Sequence, residues 1–433
     1  MQQHLSTAQS VAAGLRVLPQ TTLPLSAAQA AYRFYDNPRL SLPQLAEPLL
    51  AHLPAALATG CRDWQLVVHD VSPLHYTHHA SKADRLVWYN QNDWGYSLQT
   101  ALLLSDQTGA PRLPLYTGVV AATGVHSTRR AKPLPRRPWI DELNRTMGYV
   151  ESLADGPPRV QLIDREADSV LHLRRFARCG RQFVIRGNDV RRVEHAGQSR
   201  LLVDVEASLQ AHFRSSRQVE YKGRPAQQYV AETTVTLTQP ARKQRLRQGR
   251  TTYRQIAGRP LTLRLILAQV RDDTGQVLAT WRLWTNLPHS VSAATVALWY
   301  YWRWRVESYF KLLKRAGQHA EAWQQETARA IAKRLLIAAQ ACVIVWALEQ
   351  STEPSIQPLK QFLVRLSGRL LKRGVTSTAP ALLAGCWNLL AIIDALERYS
   401  LMELAEFARL TLGMLGLEHE FRGFKDHSHL CRN

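Results

Sequence analysis

Carboxylates are the first thing in short supply. The 433 residues carry 34 Asp and Glu against 55 Lys and Arg, a net charge of +21. Such an excess, spread along the whole chain, points to a polyanionic partner such as nucleic acid. Cysteine is sparse as well. Cys61, Cys179, Cys342, Cys386 and Cys431 show no metal-type pairing, and free thiols in a reducing cytoplasm are their simplest account. Long apolar runs are missing: the longest, "LLIAAQACVIVWAL" at 335–348, is too short to span a bilayer and contains Gln340. It reads as a buried helix, and no membrane attachment is expected. The N-terminal "MQQHLSTAQSVAAGLRVLPQ" has no charged segment followed by an apolar one, so secretion is not expected either. Internal repeats and long low-complexity tracts are absent.

What is present is enough apolar material, 45% of the residues, to bury a large core in two to four domains or one elaborated enzyme core. Residues 5–57 read as short helices ("STAQSVAAGLRVL", "LSAAQAAYRFYDN", "LAEPLLAHLPAAL") punctuated by Ser, Asn and Pro. From residue 62 the pattern becomes strand-like. "DWQLVVHD" is a compact apolar run ending in an acid, and "GYSLQTALLL" and "PRLPLYTGVVAA" flank the turn "SDQTGA" as a hairpin. A helix at 139–154 precedes a fourth strand, "RVQLID", ending at Asp164. A parallel return through a helix places that strand beside the first, so the acids ending both strands are expected at one sheet edge. "EADSVLHLRRFARCG" then reads as helix and "RQFVIRG" as strand, and residues 200–287 alternate as a β-rich block. No proline occurs between Pro288 and Pro354, and helical patterns run through 292–316 and 321–349. The apolar helices at 380–415 suggest an interface or a separate bundle.

One stretch calls for explanation: "WYYWRWRVESYFKLLK" at 299–314. At 100° per residue, Arg303, Glu307 and Lys314 fall about 60°, 20° and 40° from Tyr300, so the four share one narrow stripe beside a packing face of Trp299, Trp302, Val306, Phe310 and Leu313. A plain amphipathic helix with a solvated edge accounts for the stripe taken alone. Three acids change the weighing: Asp70 and Asp164 at strand ends and Glu307 on this helix. Carboxylates so placed are hard oxygen ligands suited to Mg²⁺ or Mn²⁺, and two such ions can clamp the attacking and leaving oxygens of a phosphoryl transfer.

The spacing Tyr300, Arg303, Glu307, Lys314 inside "RWRVE", together with "IDREAD" around Asp164 and "VVHD" ending at Asp70, resembles the signature of the insertion-sequence family-four transposases, relatives of the transposon-five transposase. "AAYRFYDNPRLS" at 30–41, "RQFVIR" and "WRLWTNLP" are also similar, and the resemblance covers about residues 25 to 345. It implies an α/β fold: an RNase H-like mixed sheet with helices, interrupted by a β-rich insertion, with helical N- and C-terminal domains. The implied boundaries are 1–58 for a DNA-binding domain, 59–190 and 290–370 for the two parts of the catalytic core, 191–289 for the insertion, and 371–433 for a dimerisation region.

The resemblance further implies a DDE site in which Asp70, Asp164 and Glu307 are catalytic and bind two Mg²⁺ or Mn²⁺ ions. Tyr300, Arg303 and Lys314 are then expected to hold phosphates from a stripe facing DNA. Trp281 is expected to stack on a flipped base and Arg186 to touch the same DNA segment. The implied activity is cut-and-paste transposition through nicking, hairpin formation and strand transfer. The implied partners are double-stranded DNA, as transposon-end inverted repeats and target, and a second copy of the chain in the DNA complex, in the cytoplasm on the bacterial nucleoid. The competing reading is a catalytically inactive DNA-binding regulator or inhibitor of transposition, which has no use for three assembled acids. A host RNase H-like nuclease has no use for the Tyr, Arg, Lys stripe.

Two further signals stand apart. His69, His75, His78 and His79 in "HDVSPLHYTHH" allow a zinc reading, but no second His or Cys pair at typical spacing supports it, and DNA contact or a plain loop is favoured. "RRAKPLPRR" at 129–137 and "ARKQRLRQGR" at 241–250 are candidate phosphate-binding segments.

Overall fold

The computed structural model describes residues 23–87, 93–153, 156–247 and 250–414. The helix expected at 6–18 and the last cysteine, Cys431, lie outside these. Strands in chain order are β1 (Gln65–His75), β2 (Leu86–Val87), β3 (Trp94–Ser105), β4 (Pro111–Ala121), β5 (Gly124–Ser127), β6 (Arg130–Leu134), β7 (Arg159–Ile163) and β8 (Gln182–Arg186). Then follow β9 (Arg192–His195), β10 (Gln198–Leu201), β11 (Arg214–Tyr221), β12 (Arg224–Leu237), β13 (Ala241–Arg247), β14 (Arg250–Ile256), β15 (Leu261–Arg271) and β16 (Val277–Thr285). Among the described residues, all but β13 and β14 form one 14-stranded mixed sheet, with the order β10-β9-β12-β15-β16-β8-β7-β1-β3-β4-β5-β6 and with β11 and β2 pairing beside it.

The centre of the sheet is β1. It pairs antiparallel with β3 on one side and parallel with β7 on the other, β7 returning through the helix Trp139–Glu151. Both faces are covered, so Leu66, Val67, Val68, Leu102, Leu103 and Leu104 are all fully buried and the strands read as unbroken apolar runs rather than alternations. Each such side chain contributes about 1.5–3 kcal/mol by leaving water. The strand does not stop at Asp70, as the acid at its end suggested. It runs five residues further to His75, because Ser72 and Leu74 continue to pair with β3 at Leu98 and Tyr96.

The β-rich stretch extends the same sheet, since β16 pairs antiparallel with β8 and carries β15 and β12 beyond it. Asn286 lengthens that seam by accepting from the Phe183 N–H at 3.0 Å and donating to the Arg181 carbonyl at 2.8 Å.

The long apolar run belongs to the helix Ala328–Gln350, 23 residues, whose N-terminus is capped by Thr327 and by Asp84, which accepts from the Ala328 N–H at 3.0 Å. By length and composition this helix and Ala379–Leu396 could each cross a membrane. The first is a core helix here: 67% of its most apolar window is buried. It ties down the N-terminal helix Leu23–Asp36, because Lys333 Nζ donates to the carbonyls of Tyr35 and Asn37 at 2.6 and 2.7 Å. Ala379–Leu396 packs on Gln357–Leu366 at a point where only glycine fits, since a Cβ on Gly385 would lie 2.0 Å from the Leu363 carbonyl oxygen. The helical region at 380–415 is divided near Ser400, where the helix Leu401–Met414 starts.

Candidate functional site

Parallel pairing of His69 with Ile163 leaves Asp70 and Asp164 as the next residues on neighbouring strands. Asp164 follows the last residue of β7 and caps the short turn Arg165–Ala167, accepting from the Arg165 N–H at 2.7 Å. Glu307 comes from the other side of the chain. The helix expected at 292–316 is divided into Ala293–Trp302 and Arg305–Leu313, with Arg303 and Trp304 between them. Bonds of Arg303 N–H to the Tyr300 carbonyl and of Glu307 N–H to the Trp304 carbonyl, both 3.1 Å, are three residues long, so the chain tightens there.

That tightening aims Arg303 into the gap between the strands. Its Nη1 lies 3.0 Å from Asp70, and its Nη2 lies 3.4 Å from Asp164 and 3.7 Å from Glu307. Tyr300 completes the cluster by donating its hydroxyl to Asp164 at 3.1 Å. Three carboxylates on three elements therefore share one positive centre. The arginine is only 3% exposed, whereas the side chains of Asp70, Asp164 and Glu307 are 23%, 35% and 37% exposed. The guanidinium forms a floor and the acids open to water.

Electrostatics separate the three acids. Burial raises the Asp70 carboxyl, and Arg303 does not fully offset it. Burial acts on Asp164 too, but Arg303, the Arg165 N–H and the Tyr300 hydroxyl outweigh it and hold that carboxyl below the usual range. Glu307 is raised by burial, against the pull of Arg303. Arg303 itself is held firmly protonated, because its neighbours overcome the cost of burying it.

The stripe drawn from helical spacing thus does not face outward as expected. Tyr300 is 1% exposed on the first of the two helices, and Arg303, at the break between them, is turned toward the acids. Lys314 stands outside the cluster and beyond the helix end; its ammonium donates to the Pro73 carbonyl and pairs with Glu321 at 3.6 Å, stapling this segment to the tail of β1. Arg186, at the end of β8, reaches to 4.0 Å from Asp164 and is 31% exposed. Trp281 is 4% exposed, and its ring lies 5.9 Å from that of Tyr300 and 6.4 Å from that of Tyr301. It backs the tyrosine rather than offering a free face for a base.

Hard oxygen donors from two aspartates and a glutamate suit a divalent cation in kind, and they already converge on a cationic centre. As placed, that centre is the guanidinium, and among the described residues no group of three or more His, Cys, Asp or Glu side chains is spaced to hold an ion.

No family model matches the chain, and no curated protein matches it in sequence. Among solved structures it is similar to the piggyBac transposase synaptic complex with hairpin DNA, determined by cryo-electron microscopy, with a TM-score of 0.33 and 10% identity. That match takes in 85% of this chain, which spans 60% of the length of the other.

Sequence reasoning passed over Glu166. It follows Asp164 by two residues, and burial together with the charges of Asp70 and Asp164 raises its carboxyl. The signal lay in "IDREAD", but only the tight turn after β7 brings this second acid back toward the cluster.

The histidine-rich stretch is dispersed. His69 is buried against Gln161 at 2.6 Å, and burial pulls its imidazole down to about 4. His75 pairs with Asp93 at 3.1 Å, and His79 packs edge-on against Tyr76. In the same loop Lys82 is 0% exposed, with its ammonium 4.8 Å from the centre of the Tyr76 ring and no hydrogen-bond acceptor among the described residues. Burial pulls this lysine down to about 8.

Proposed function

We propose that the chain is a DDE transposase, a metal-dependent DNA nuclease and strand transferase that cuts and pastes an insertion sequence. The observation that carries this reading is the convergence of Asp70, Asp164 and Glu307 around one cationic centre open to water on the acid side. The run β4-β3-β1-β7-β8, antiparallel on one side of β1 and parallel on the other, supports an RNase H-like core. Under this reading 59–190 and 290–370 form the core, 191–289 an insertion, 1–58 a DNA-binding domain and 371–433 a dimerisation region. The substrate is double-stranded DNA, as transposon ends and target, bound by two copies of the chain on the bacterial nucleoid.

Asp70, Asp164 and Glu307 would hold Mg²⁺ or Mn²⁺, which when bound supplies charge stabilisation at the attacking and leaving oxygens of phosphoryl transfer. Tyr300 orients Asp164 through its hydroxyl, and Trp281 keeps that ring in place. Arg303 neutralises the acids in the absence of other cations; once they have another partner, its planar fork is free to take a phosphate beside the scissile bond. Arg186 lies at the rim, where it can reach the same strand. Lys314 holds the end of the Glu307 helix against β1.

The runner-up reading, a catalytically inactive DNA-binding regulator, is favoured by one observation: Arg303 already fills the cationic position. A cleavage assay decides. With end-labelled candidate transposon ends and Mg²⁺, the wild type should give nicked and then hairpin products. Glu307→Gln should bind the same DNA and give none. Nicking by Glu307→Gln at the wild-type rate would sink the three-acid site, and an inert wild type that still binds the ends would favour the regulator.

A further inference from the structure

A second basic feature lies well away from the acids. Between β6, the helix Leu42–Leu50 and the helix Trp139–Glu151 is an open pocket of about 710 Å³. Its rim carries Arg129, Arg130 and Arg145, and its wall includes Pro43, Leu134 and Tyr149. Arg129 is spoken for: its guanidinium sits 2.5 Å from Glu142, a carboxylate buried at the start of the helix behind it. Arg130 and Arg145 are exposed, and neither forms an ion pair among the described residues. Lys132 on β6 and Arg136 and Arg137 on the exposed chain leaving it continue the positive charge.

The pocket is more than a charged face. Tyr149 is half-buried, and its ring is held by an edge-to-face contact with Tyr116 at 6.1 Å. A fixed aromatic ring in a pocket shared with a proline and a leucine offers a flat apolar surface alongside the arginines. Duplex backbone needs only the charges, since its bases are stacked out of reach. An unpaired strand needs both, phosphates on the cations and a base or sugar on the ring. The volume falls in the range of about 300–1,000 Å³ common for small-ligand sites, room enough for a nucleotide.

We infer that this pocket is a single-stranded DNA site, with Arg130 and Arg145 on successive phosphates and one unstacked nucleotide against Tyr149 and Pro43. It rests on the reading of the chain as one that acts on DNA, and it is separate from the acids: β6 is four strands from β1 in the sheet, roughly 19 Å along it at the usual strand spacing. A strand freed at a cut end would be kept there, apart from the reacting phosphate.

The test uses the full-length protein in EDTA, so that no cleavage occurs, with a labelled oligothymidine and a duplex of equal length read by fluorescence anisotropy across a salt series. The double variant Arg130→Glu/Arg145→Glu should weaken binding of the single strand at least about tenfold and lower its log–log salt slope by about 1.4, at ~0.7 for each phosphate lost. Tyr149→Leu should weaken the single strand about tenfold and leave the duplex within about twofold. Should the double variant lose stability, Arg145→Ala alone, at an exposed position, should lower the slope by about 0.7.

Unchanged affinity and slope in these variants overturn the proposal. Equal losses on both DNAs overturn the single-strand assignment, as does displacement of the oligonucleotide by an equal concentration of thymidine monophosphate, which would make this a free-nucleotide site. Cleavage of labelled ends with Mg²⁺ is scored separately. A wild type that cleaves while the variants bind as it does loses the pocket and keeps the transposase; one that never cleaves while the variants lose the single strand does the reverse.

Discussion

Arg303 and Asp70 are joined by an ion pair of 3.0 Å, although 232 other residues separate them in the chain. The same guanidinium serves Asp164 and Glu307, so one cation balances three acids. Removing it leaves like charges facing one another. Arg303→Gln should cost about 1–3 kcal/mol in EDTA, less than the ~3–5 kcal/mol typical when a fully buried pair is broken, because the acids reach water. Mg²⁺ or Mn²⁺ should then raise the melting temperature of the variant more than that of the wild type. Equal shifts in differential scanning calorimetry would mean that the ion and Arg303 do not share the acids.

Tyr300→Phe removes one hydroxyl from a buried ring, the one that donates to Asp164. Loss of a hydrogen bond to a charged acceptor should lower stability by about 1–2 kcal/mol in urea unfolding. Cleavage should slow moderately rather than stop, because the carboxylate keeps Arg303 and the Arg165 N–H. A null effect on both would show that the hydroxyl leaves Asp164 where it was.

Lys82 gives a pH-dependent prediction away from the acids. Its ammonium is pulled from the ordinary 10.5 to about 8 in the folded chain, so between those values the unfolded state binds more protons and stability rises with pH. Lys82→Met should therefore melt at a higher temperature than the wild type at pH 7, with the advantage shrinking from about pH 8 to pH 10.5 as the native amine becomes neutral. A constant difference across that range, in thermal unfolding, would argue that the lysine is solvated.

The helix Leu401–Met414 leaves apolar side chains in water: Leu401, Met402, Leu410 and Met414 are 55%, 83%, 52% and 89% exposed. If a second copy covers them in the DNA complex, Met402→Glu/Leu410→Glu should lower the yield of paired-end complexes in sedimentation while each monomer still binds a single end. Undiminished pairing would assign dimerisation to another surface.

The sheet was largely legible in the sequence because its central strands announce themselves as apolar runs and its hairpin as a turn. The parallel return that sets Asp164 beside Asp70 followed from the order of elements alone. What periodicity missed was local. A constant 100° per residue carries Tyr300 and Arg303 to an outer edge, whereas in the fold both face the strands, with the chain tightened by three-residue hydrogen bonds around Arg303. Nor could composition reveal that β16 would find β8: a β-rich block reads the same whether it pairs with itself or extends an existing sheet. Trp281 is expected as a base platform from the resemblance, and only the fold shows it buried beside Tyr300 and Tyr301.

That seam between β8 and β16 is narrow. Leu283, Trp284 and Thr285 pair with Arg186, Ile185 and Val184, and the Asn286 side chain adds one further rung. Among the described residues the strands from β16 to β10 join the ladder of the central sheet at this junction, and the last residue of the junction on the β8 side is Arg186, the same arginine that leans toward Asp164. The outer strands and the acid cluster therefore share a hinge point: any slip of β16 along β8 would shift Arg186 and, with it, the charge that Asp164 feels from that side.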